Sequence, residues 1–281
     1  MGSLKFYATV AGCLALATSV TTARAADLLS APPPPPPAYE PVADVGGWYL
    51  RGDIGVGAYR GGKFSHPTDP SIFYGEDLGS AGCAGVGVGY QFNSWFRADV
   101  TGEYRFSTGV SATDKYELVS GGTRFAGMEK YRGNYSAGVF LVNGYFDLGN
   151  WYGFTPFVGA GIGYAENKMS GFETSTLVLS PFAGSSGGGT IRNRSYGNLA
   201  WALHAGVAYD VTPNFKVELA YRYMNLGEGR TGLVDCYGCG QPPALGFKMK
   251  DIESHDIKLG MRWALGGSAP AYEPAPLMRK Y

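Results

Sequence analysis

The segment Trp95–Phe106 has two chemically different faces when its residues are divided into even and odd positions. The even face carries apolar or small residues: Phe96, Ala98, Val100, Gly102, Tyr104 and Phe106. The odd face carries polar and charged residues: Arg97, Asp99, Thr101, Glu103 and Arg105. Because successive side chains of a β-strand point to opposite sides, this alternation predicts a strand. Its charges alternate in sign and can pair, which is typical of a barrel in lipid with a filled polar interior.

Seven further segments show the same two-residue period and predict an all-β chain of eight strands. These segments are Trp48–Tyr59, Gly82–Phe92, Tyr135–Leu148, Phe154–Asn167, Ala200–Val211, Phe215–Asn225 and Ser254–Leu265. In Tyr135–Leu148 an apolar run obscures the alternation, and we place Asn143, Tyr145 and Asp147 on the inward face. Many inward positions are glycine, which leaves room for long side chains from neighbouring strands.

The connections between these segments alternate between short and long. The short links are Asn93-Ser94, Gly149-Asn150-Trp151 and Thr212-Pro213-Asn214, and the long links are Arg60–Ala81, Ser107–Asn134, Lys168–Leu199 and Leu226–Glu253. This rhythm predicts an eight-stranded antiparallel up-and-down transmembrane β-barrel, with turns in the periplasm and four exposed loops outside. Because an open sheet in lipid would leave its edge groups unpaired, the barrel must close. An even strand number places both termini on the periplasmic side.

The ends of the chain predict export. Lys5 precedes a short apolar stretch that ends at Ala23-Arg24-Ala25, which is the pattern of a cleaved N-terminal signal peptide. A lipoprotein cleavage box at Val10–Cys13 is the alternative. The predicted organisation is a signal peptide at 1–25, a Pro-rich periplasmic linker at 26–46, the barrel at 47–265 and a periplasmic tail at 266–281.

The linker contains six consecutive prolines, which cannot donate hydrogen bonds to a helix or sheet and therefore predict a stiff spacer. The motif Pro-Ala-Tyr-Glu-Pro lies in the linker at 37–41 and recurs in the tail at 270–274. The repeat is explained by composition, since Pro, Ala and Glu are common in disordered tails. The alternative is that both copies of the motif bind one periplasmic partner.

Composition excludes two broad classes of protein. The formal net charge is zero and charged residues make up 16% of the chain, so no basic surface indicates nucleic-acid binding. Mean hydropathy is −0.09, which argues against a bundle of transmembrane helices. A membrane barrel remains compatible, since only every second residue of its strands faces lipid.

The polar faces of the eight strands together predict a barrel interior that is filled with charge. The predicted lumen residues are Arg51, Asp53, Arg97, Asp99, Glu103, Arg105, Lys216, Glu218, Arg222, Asp256, Lys258 and Arg262. Buried charges are tolerated when they are paired or hydrated. At eight strands the interior is only wide enough to be filled by side chains. We therefore predict a salt-bridged plug in place of an open pore.

No residue pattern predicts catalysis, a cofactor or a metal. Cys236 and Cys239 could form a small-loop disulfide in an oxidising compartment, which leaves Cys83 odd; a half zinc site is the alternative. The three histidines have no metal-binding spacing, and the Gly-rich stretch 184–189 lacks the Lys-Thr/Ser of a phosphate-binding loop. The sequence predicts a protein that is not an enzyme.

Four stretches of the chain resemble a known group of proteins. They are the signal end Ala25-Ala26-Asp27-Leu28, the strand Gly47–Gly55, the strand Thr155–Gly163 and the strand Val217–Tyr223. In these the chain resembles small outer-membrane β-barrel proteins of the opacity and surface-antigen type, especially the alphaproteobacterial porin-family outer membrane proteins. The resemblance implies a barrel in the outer membrane of a Gram-negative bacterium. It says little about function, since such barrels share a scaffold and differ in their loops.

The expected function is that of a structural surface protein that supports membrane integrity. The alternatives are a narrow channel, or a surface receptor or adhesin that binds haem or host molecules through His66, Tyr74, Tyr237 or the cysteine loop. A soluble lipocalin-like barrel would reverse the two faces of each strand. Expected partners are outer-membrane lipid and lipopolysaccharide, the outer-membrane assembly machinery, and periplasmic or host surface molecules.

We expect Val100→Arg to destabilise the barrel more than Thr101→Arg, because only the first would face lipid.

Overall fold

A computed structural model describes residues 46–60, 62–65, 72–181, 184–237 and 245–265, with backbone alone at 72–77, 118 and 120. Most of these residues form β-strands, and none of them lies in a helix that could span a membrane. The strands are β1 (Gly47–Arg60), β2 (Lys63–Ser65), β3 (Ile72–Leu78), β4 (Ser80–Gln91), β5 (Phe96–Ser120), β6 (Thr123–Asp147), β7 (Phe154–Ser180), β8 (Ser186–Ile191), β9 (Arg194–Thr212), β10 (Phe215–Asn225), β11 (Gly229–Arg230), β12 (Val234–Cys236), β13 (Lys248–Lys250) and β14 (Glu253–Ala264).

Eight of these strands form a closed antiparallel ring. Its order is β1-β4-β5-β6-β7-β9-β10-β14, and β14 pairs again with β1. The closing pair runs in register from Tyr49 opposite Ala264 to Arg60 opposite Glu253. The predicted eight-stranded barrel is therefore confirmed. The predicted signal peptide, linker and tail fall on 1–45 and 266–281, outside the described residues, so these boundaries stay predictions.

Short turns join the ring strands at one end of the barrel. At the turn between β4 and β5, the side-chain oxygen of Asn93 accepts hydrogen bonds from the backbone N–H groups of Trp95 (3.0 Å) and Phe96 (2.7 Å). Between β6 and β7, Asn150 accepts from Gly153 N–H at 3.1 Å. Asparagine stabilises tight turns in this way because its side chain replaces a backbone acceptor.

The outer surface of the ring is apolar. Its exposed aliphatic residues include Leu50, Ile54, Val86, Val100, Val142, Ile162, Leu203, Leu219 and Leu259. Exposed aromatic side chains bound this band near the short turns (Trp48, Phe92, Trp95, Phe146, Trp151, Phe154, Tyr209 and Trp263) and towards the other end (Tyr104, Phe106, Tyr164 and Trp201). An apolar band between two aromatic girdles is the signature of a barrel in lipid. The lipocalin-like alternative is therefore wrong, because the apolar faces point outward.

The four long links were predicted as loops, and this prediction is wrong for Ser107–Asn134 and Lys168–Leu199, which are mostly strand; the described part of Leu226–Glu253 contains only short strands. β5, β6 and β7 run for 25, 25 and 27 residues, whereas a strand needs about 9–11 residues to cross a membrane. β5 and β6 are joined by Gly121-Gly122, both of which have positive φ, as glycine tolerates without strain. The extensions mix charged, small and polar residues on both faces because both faces leave the lipid, so a clean apolar alternation is missing.

A second layer covers the interior beyond the apolar band. β2, β11 and β13 form a three-stranded sheet in the order β11-β13-β2. Phe64 and Met249 of this sheet, and Phe247 just before β13, are buried against the inner faces of the extended strands. We call this sheet, with Leu226 and Ile252 beside it, the inner sheet. It gives the barrel an apolar core at one end, separate from the charged interior of the membrane band.

Candidate functional site: the barrel interior

The interior near the short turns contains a network of three arginines. Arg51 donates a hydrogen bond to Asp99 at 2.7 Å and another to the Tyr145 hydroxyl at 2.9 Å. Arg97 is fully buried and lies 3.2 Å from Asp147. The guanidinium of Arg97 also lies over the Tyr145 ring, 4.1 Å from its centroid. These contacts hold each arginine in one place, since both its charge and its flat face have partners.

Glu218 joins these arginines from the opposite wall. Its carboxylate lies 3.3 Å from Arg262, 3.6 Å from Arg97 and 3.6 Å from Arg51. One buried carboxylate therefore faces three cations. Strands β1, β5, β10 and β14 are tied together across the lumen as a result.

A second network occupies the interior nearer the inner sheet, and Arg105 is its centre. Arg105 donates two hydrogen bonds to Asp256 at 2.8 and 2.9 Å, one to Ser254 at 2.6 Å and one to the Tyr59 hydroxyl at 2.8 Å. Arg105 is fully buried. Such a bidentate pair fixes both side chains in direction as well as distance.

Arg222 and Lys258 complete this second network. Arg222 bridges Glu103 and Asp256, with 2.6 Å to each carboxylate. Lys258 lies 2.6 Å from Glu103 and also contacts Asp53. We name the two networks together the charge lattice.

The charge lattice is electrically balanced. Among the described residues of the membrane band, six interior cations face six interior carboxylates: Arg51, Arg97, Arg105, Arg222, Lys258 and Arg262 against Asp53, Asp99, Glu103, Asp147, Glu218 and Asp256. A balanced set of ion pairs, many of them hydrogen-bonded, is what makes this many charges tolerable away from water.

Little free volume remains inside the lattice. The cavity between the two networks measures about 20 Å³ and is lined by Arg51, Asn143, Tyr145 and His204, among others. A water molecule needs roughly 10–15 Å³ of such volume, so the space accommodates about one water. A continuous aqueous path would require side chains of the lattice to move.

Glycine allows this dense packing at two inward positions. A Cβ added at Gly57 would collide with the Arg105 guanidinium and the Asp256 carboxylate, and one at Gly89 would collide with the Tyr49 ring. At these positions, glycine leaves room for long side chains of neighbouring strands, as the sequence predicts.

Eleven of the twelve predicted lumen residues lie in the charge lattice, and Lys216 does not. Lys216 sits at the rim near the short turns, with its side chain 30% exposed, and pairs with Asp210 at 2.7 Å. A register shift between Phe215 and Lys216 lies at this point of the β9–β10 pair. At the end of a strand, residues on the inward face are in contact with water. The alternation of even and odd positions therefore could not distinguish a residue at the rim from one deep in the interior.

Sequence reasoning left several interior residues out of the predicted site. Asp147, Asn143 and Tyr145 were placed inward but not assigned to the plug, although all three are buried and contact charged members of the lattice. Ser254 was named only as the first residue of the last predicted strand, yet its hydroxyl accepts a hydrogen bond from Arg105. Strand parity was the available signal, because Asn143, Tyr145 and Asp147 share the inward face of one strand and Ser254 has the parity of Asp256.

The inner sheet was missed altogether. The Phe247 ring packs against Phe64, Tyr131 and Phe172, with centroids 5.0–5.3 Å apart. Thr231 binds both backbone groups of Phe247 through its hydroxyl. These contacts join segments that lie far apart in the chain, and no local periodicity predicts them.

The cysteines and histidines form no site within the described part of the chain. Cys83 is a free, buried thiol, and Cys236 is disulfide-bonded. Its predicted partner Cys239 lies outside the described residues, as do His66 and the side chain of Tyr74. Of the groups that the structure describes, none brings three His, Cys, Asp or Glu side chains together as a metal site.

A closed antiparallel ring, an apolar outer band with aromatic girdles and a charged interior together define a transmembrane β-barrel. A family model described as "Outer membrane protein beta-barrel domain" matches residues 13–264. The chain belongs to this family of outer-membrane β-barrel proteins, and its localisation is the outer membrane.

Relatives and solved structures of similar proteins come from several bacteria. An uncharacterized protein of Brucella abortus is 33% identical, covering 88% of this chain and 94% of the relative. A candidate adhesin of Rickettsia bellii is 28% identical, covering 77% of this chain and 87% of the relative. Among solved structures, OprG from Pseudomonas aeruginosa is similar over 80% of this chain and 98% of its own, with 13% identity and a TM-score of 0.42.

Proposed function

We propose that this protein is a sealed, non-catalytic outer-membrane barrel that supports membrane integrity and presents a β-structured recognition surface outside the cell. The observation that carries the proposal is that the barrel interior is filled at two levels. The charge lattice fills the membrane band, and the inner sheet fills the region beyond it. A barrel that is filled at two levels can present its outer strands to binding partners but offers no path for ions.

The extended strands supply the display surface. More than half of each of β5, β6 and β7 exceeds the length that a membrane requires. A long, regular hairpin presents side chains on a rigid frame, which lowers the entropy cost of binding a partner. The name of the Rickettsia bellii relative, a candidate adhesin, is consistent with such a role.

The sealed interior predicts no conductance. Purified protein in planar bilayers is expected to show no unitary current steps, because an ion would have to pass the paired charges of the lattice. A porin added to the same bilayers is the positive control. Reproducible steps whose ion selectivity changes in Glu218→Gln would contradict the proposal, since that result would place the ion path through the lattice.

The proposed orientation predicts one-sided labelling. Val119→Cys at the end of β5 is expected to react with a membrane-impermeant maleimide on intact cells, and Asn150→Cys in a short turn only after the outer membrane is opened. The unmodified chain is the control, because Cys83 is buried and Cys236 is oxidised. The reverse pattern would show that the short turns face outward.

A further inference from the structure

A cavity of about 220 Å³ lies at the edge of the inner sheet, beside the start of β9. Three cations line it, from three different strands: Arg194 of β9, Arg230 of β11 and Lys248 of β13. Leu233 and Leu245 form exposed apolar walls. The lining residues that the structure describes include no carboxylate.

Two of these cations lie directly opposite each other. Arg230 and Lys248 are register partners in the β11–β13 pair. Like charges at directly opposite positions of neighbouring strands destabilise a sheet. Arg194 adds a third positive charge to the same cavity. The arrangement costs stability in the unliganded protein, and an anion between the cations would remove that cost.

Nearby carboxylates neutralise this charge only in part. Glu228 pairs with Arg230. Asp235 is engaged by Arg192, whose two hydrogen bonds of 2.8 and 3.0 Å lower the pKa of the Asp235 carboxyl. Within the described ranges neither Arg194 nor Lys248 has a carboxylate partner.

Two of the groups that line the cavity, Arg230 and Phe247, are held in place by their neighbours. The Arg230 guanidinium lies 3.9 Å from the centroid of the Tyr196 ring and is held there by Glu228 as well. The floor is Phe247, whose backbone N–H donates to the Thr231 hydroxyl at 3.0 Å and whose ring is packed in the apolar core. Arginine held in this way loses little freedom when it binds an oxyanion.

We propose that this cavity binds an oxyanion-bearing sugar, namely a carboxylated or sulfated ring of a polysaccharide. Guanidinium and ammonium groups pair with such oxyanions, and the leucine walls suit the C–H face of a sugar ring. The cavity, at about 220 Å³ against about 20 Å³ for the one inside the charge lattice, has room for a sugar ring. The inference rests on the proposed function, because it assumes that this end of the barrel faces the surroundings.

The test measures binding of dextran sulfate, oligogalacturonate and neutral dextran to the full-length protein in detergent micelles by titration calorimetry. We expect both anionic polymers to bind and neutral dextran not to bind. The double variant Arg194→Gln with Lys248→Gln should raise the dissociation constant of the anionic polymers at least about tenfold. The matched control is Lys250→Gln, an exposed lysine on the same strand outside the cavity, with an expected change under about twofold.

Three outcomes would overturn the proposal. They are no binding of either anionic polymer, equal weakening by the double variant and by Lys250→Gln, and displacement of the polymers by an equal concentration of inorganic sulfate. The second would indicate general charge attraction, and the third an anion site with no part for the sugar. Heat-modifiability on gels verifies that each variant is folded. The surface-labelling pattern of Val119→Cys and Asn150→Cys tests the proposed orientation separately, so either idea can fail alone.

Discussion

Replacement of Arg105 by methionine should lower the free energy of unfolding by about 3–5 kcal/mol. Methionine keeps most of the volume but removes a fully buried charge that donates to Asp256, Ser254 and Tyr59. Asp256 and Glu103 would then share the remaining cations, Arg222 and Lys258, and the lattice would carry one unbalanced negative charge. Urea unfolding in lipid vesicles, followed by tryptophan fluorescence, measures the effect.

Lys216→Met is the matched control for this experiment. Lys216 was predicted to belong to the same plug, but it lies at the rim and pairs with Asp210 in a partly exposed position. Exposed ion pairs contribute about 0–1 kcal/mol, so this variant should unfold near the unmodified chain. If both variants lower the free energy of unfolding equally, burial in the charge lattice does not increase the contribution of a charged side chain to stability.

A double variant separates the loss of a charge from the loss of a contact. Arg105→Met with Asp256→Asn removes one charge of each sign and restores the balance of the lattice. Residues in one network are not additive, so the double variant should be less destabilised than the sum of the two single variants. Strict additivity would indicate that the two residues do not act as a pair.

The sequence allowed the ring and most of its interior to be predicted, because lipid imposes a strict rule on strands. In a strand that crosses the membrane, every second residue faces lipid and must be apolar. The residues between them must therefore face the interior of the barrel. Where one face was obscured, as at Val139–Val142, the buried state of Asn143 and Tyr145 agrees with the parity assigned from the clearer residues nearby. Lys216 escaped this logic, since parity reports which face a residue occupies and not how deep it lies.

The inner sheet and the cationic cavity could not be predicted in the same way. Beyond the membrane, neither face of a strand contacts lipid, so the sequence shows no alternation of apolar and polar residues. Pairs such as Arg230 with Lys248 also depend on contacts between segments that are distant in the chain. Phe64 and Phe247 are 183 positions apart by their residue numbers and meet at 5.0 Å between ring centroids. A single sequence shows two separate phenylalanines, each next to a lysine, and nothing that connects them.

The structure also changes the control for substitutions on the third ring strand, β5. Thr101→Arg was expected to be milder than Val100→Arg because Thr101 faces the interior. Thr101 accepts a hydrogen bond from Asn143 at 3.1 Å and lines the cavity of about 20 Å³, which is far too small for an arginine side chain. Overpacking of a filled interior costs about 1–3 kcal/mol or more, so Thr101 no longer isolates the effect of lipid.

Val119 supplies the better comparison for Val100. Both are valines on the outer face of β5, with 51% of Val100 and 66% of Val119 exposed, but only Val100 lies in the apolar band between the aromatic girdles. Val100→Arg should destabilise the barrel by about 2–4 kcal/mol, because the guanidinium would face hydrocarbon near the midplane. Val119→Arg should change stability by about 0.5 kcal/mol or less, since the same charge would stand in water. Urea unfolding in lipid vesicles measures both variants, and the heat-induced gel shift reports whether each has inserted. If the two arginines cost the same, the apolar band does not mark the membrane, and the assignment of the faces of all eight ring strands fails with it.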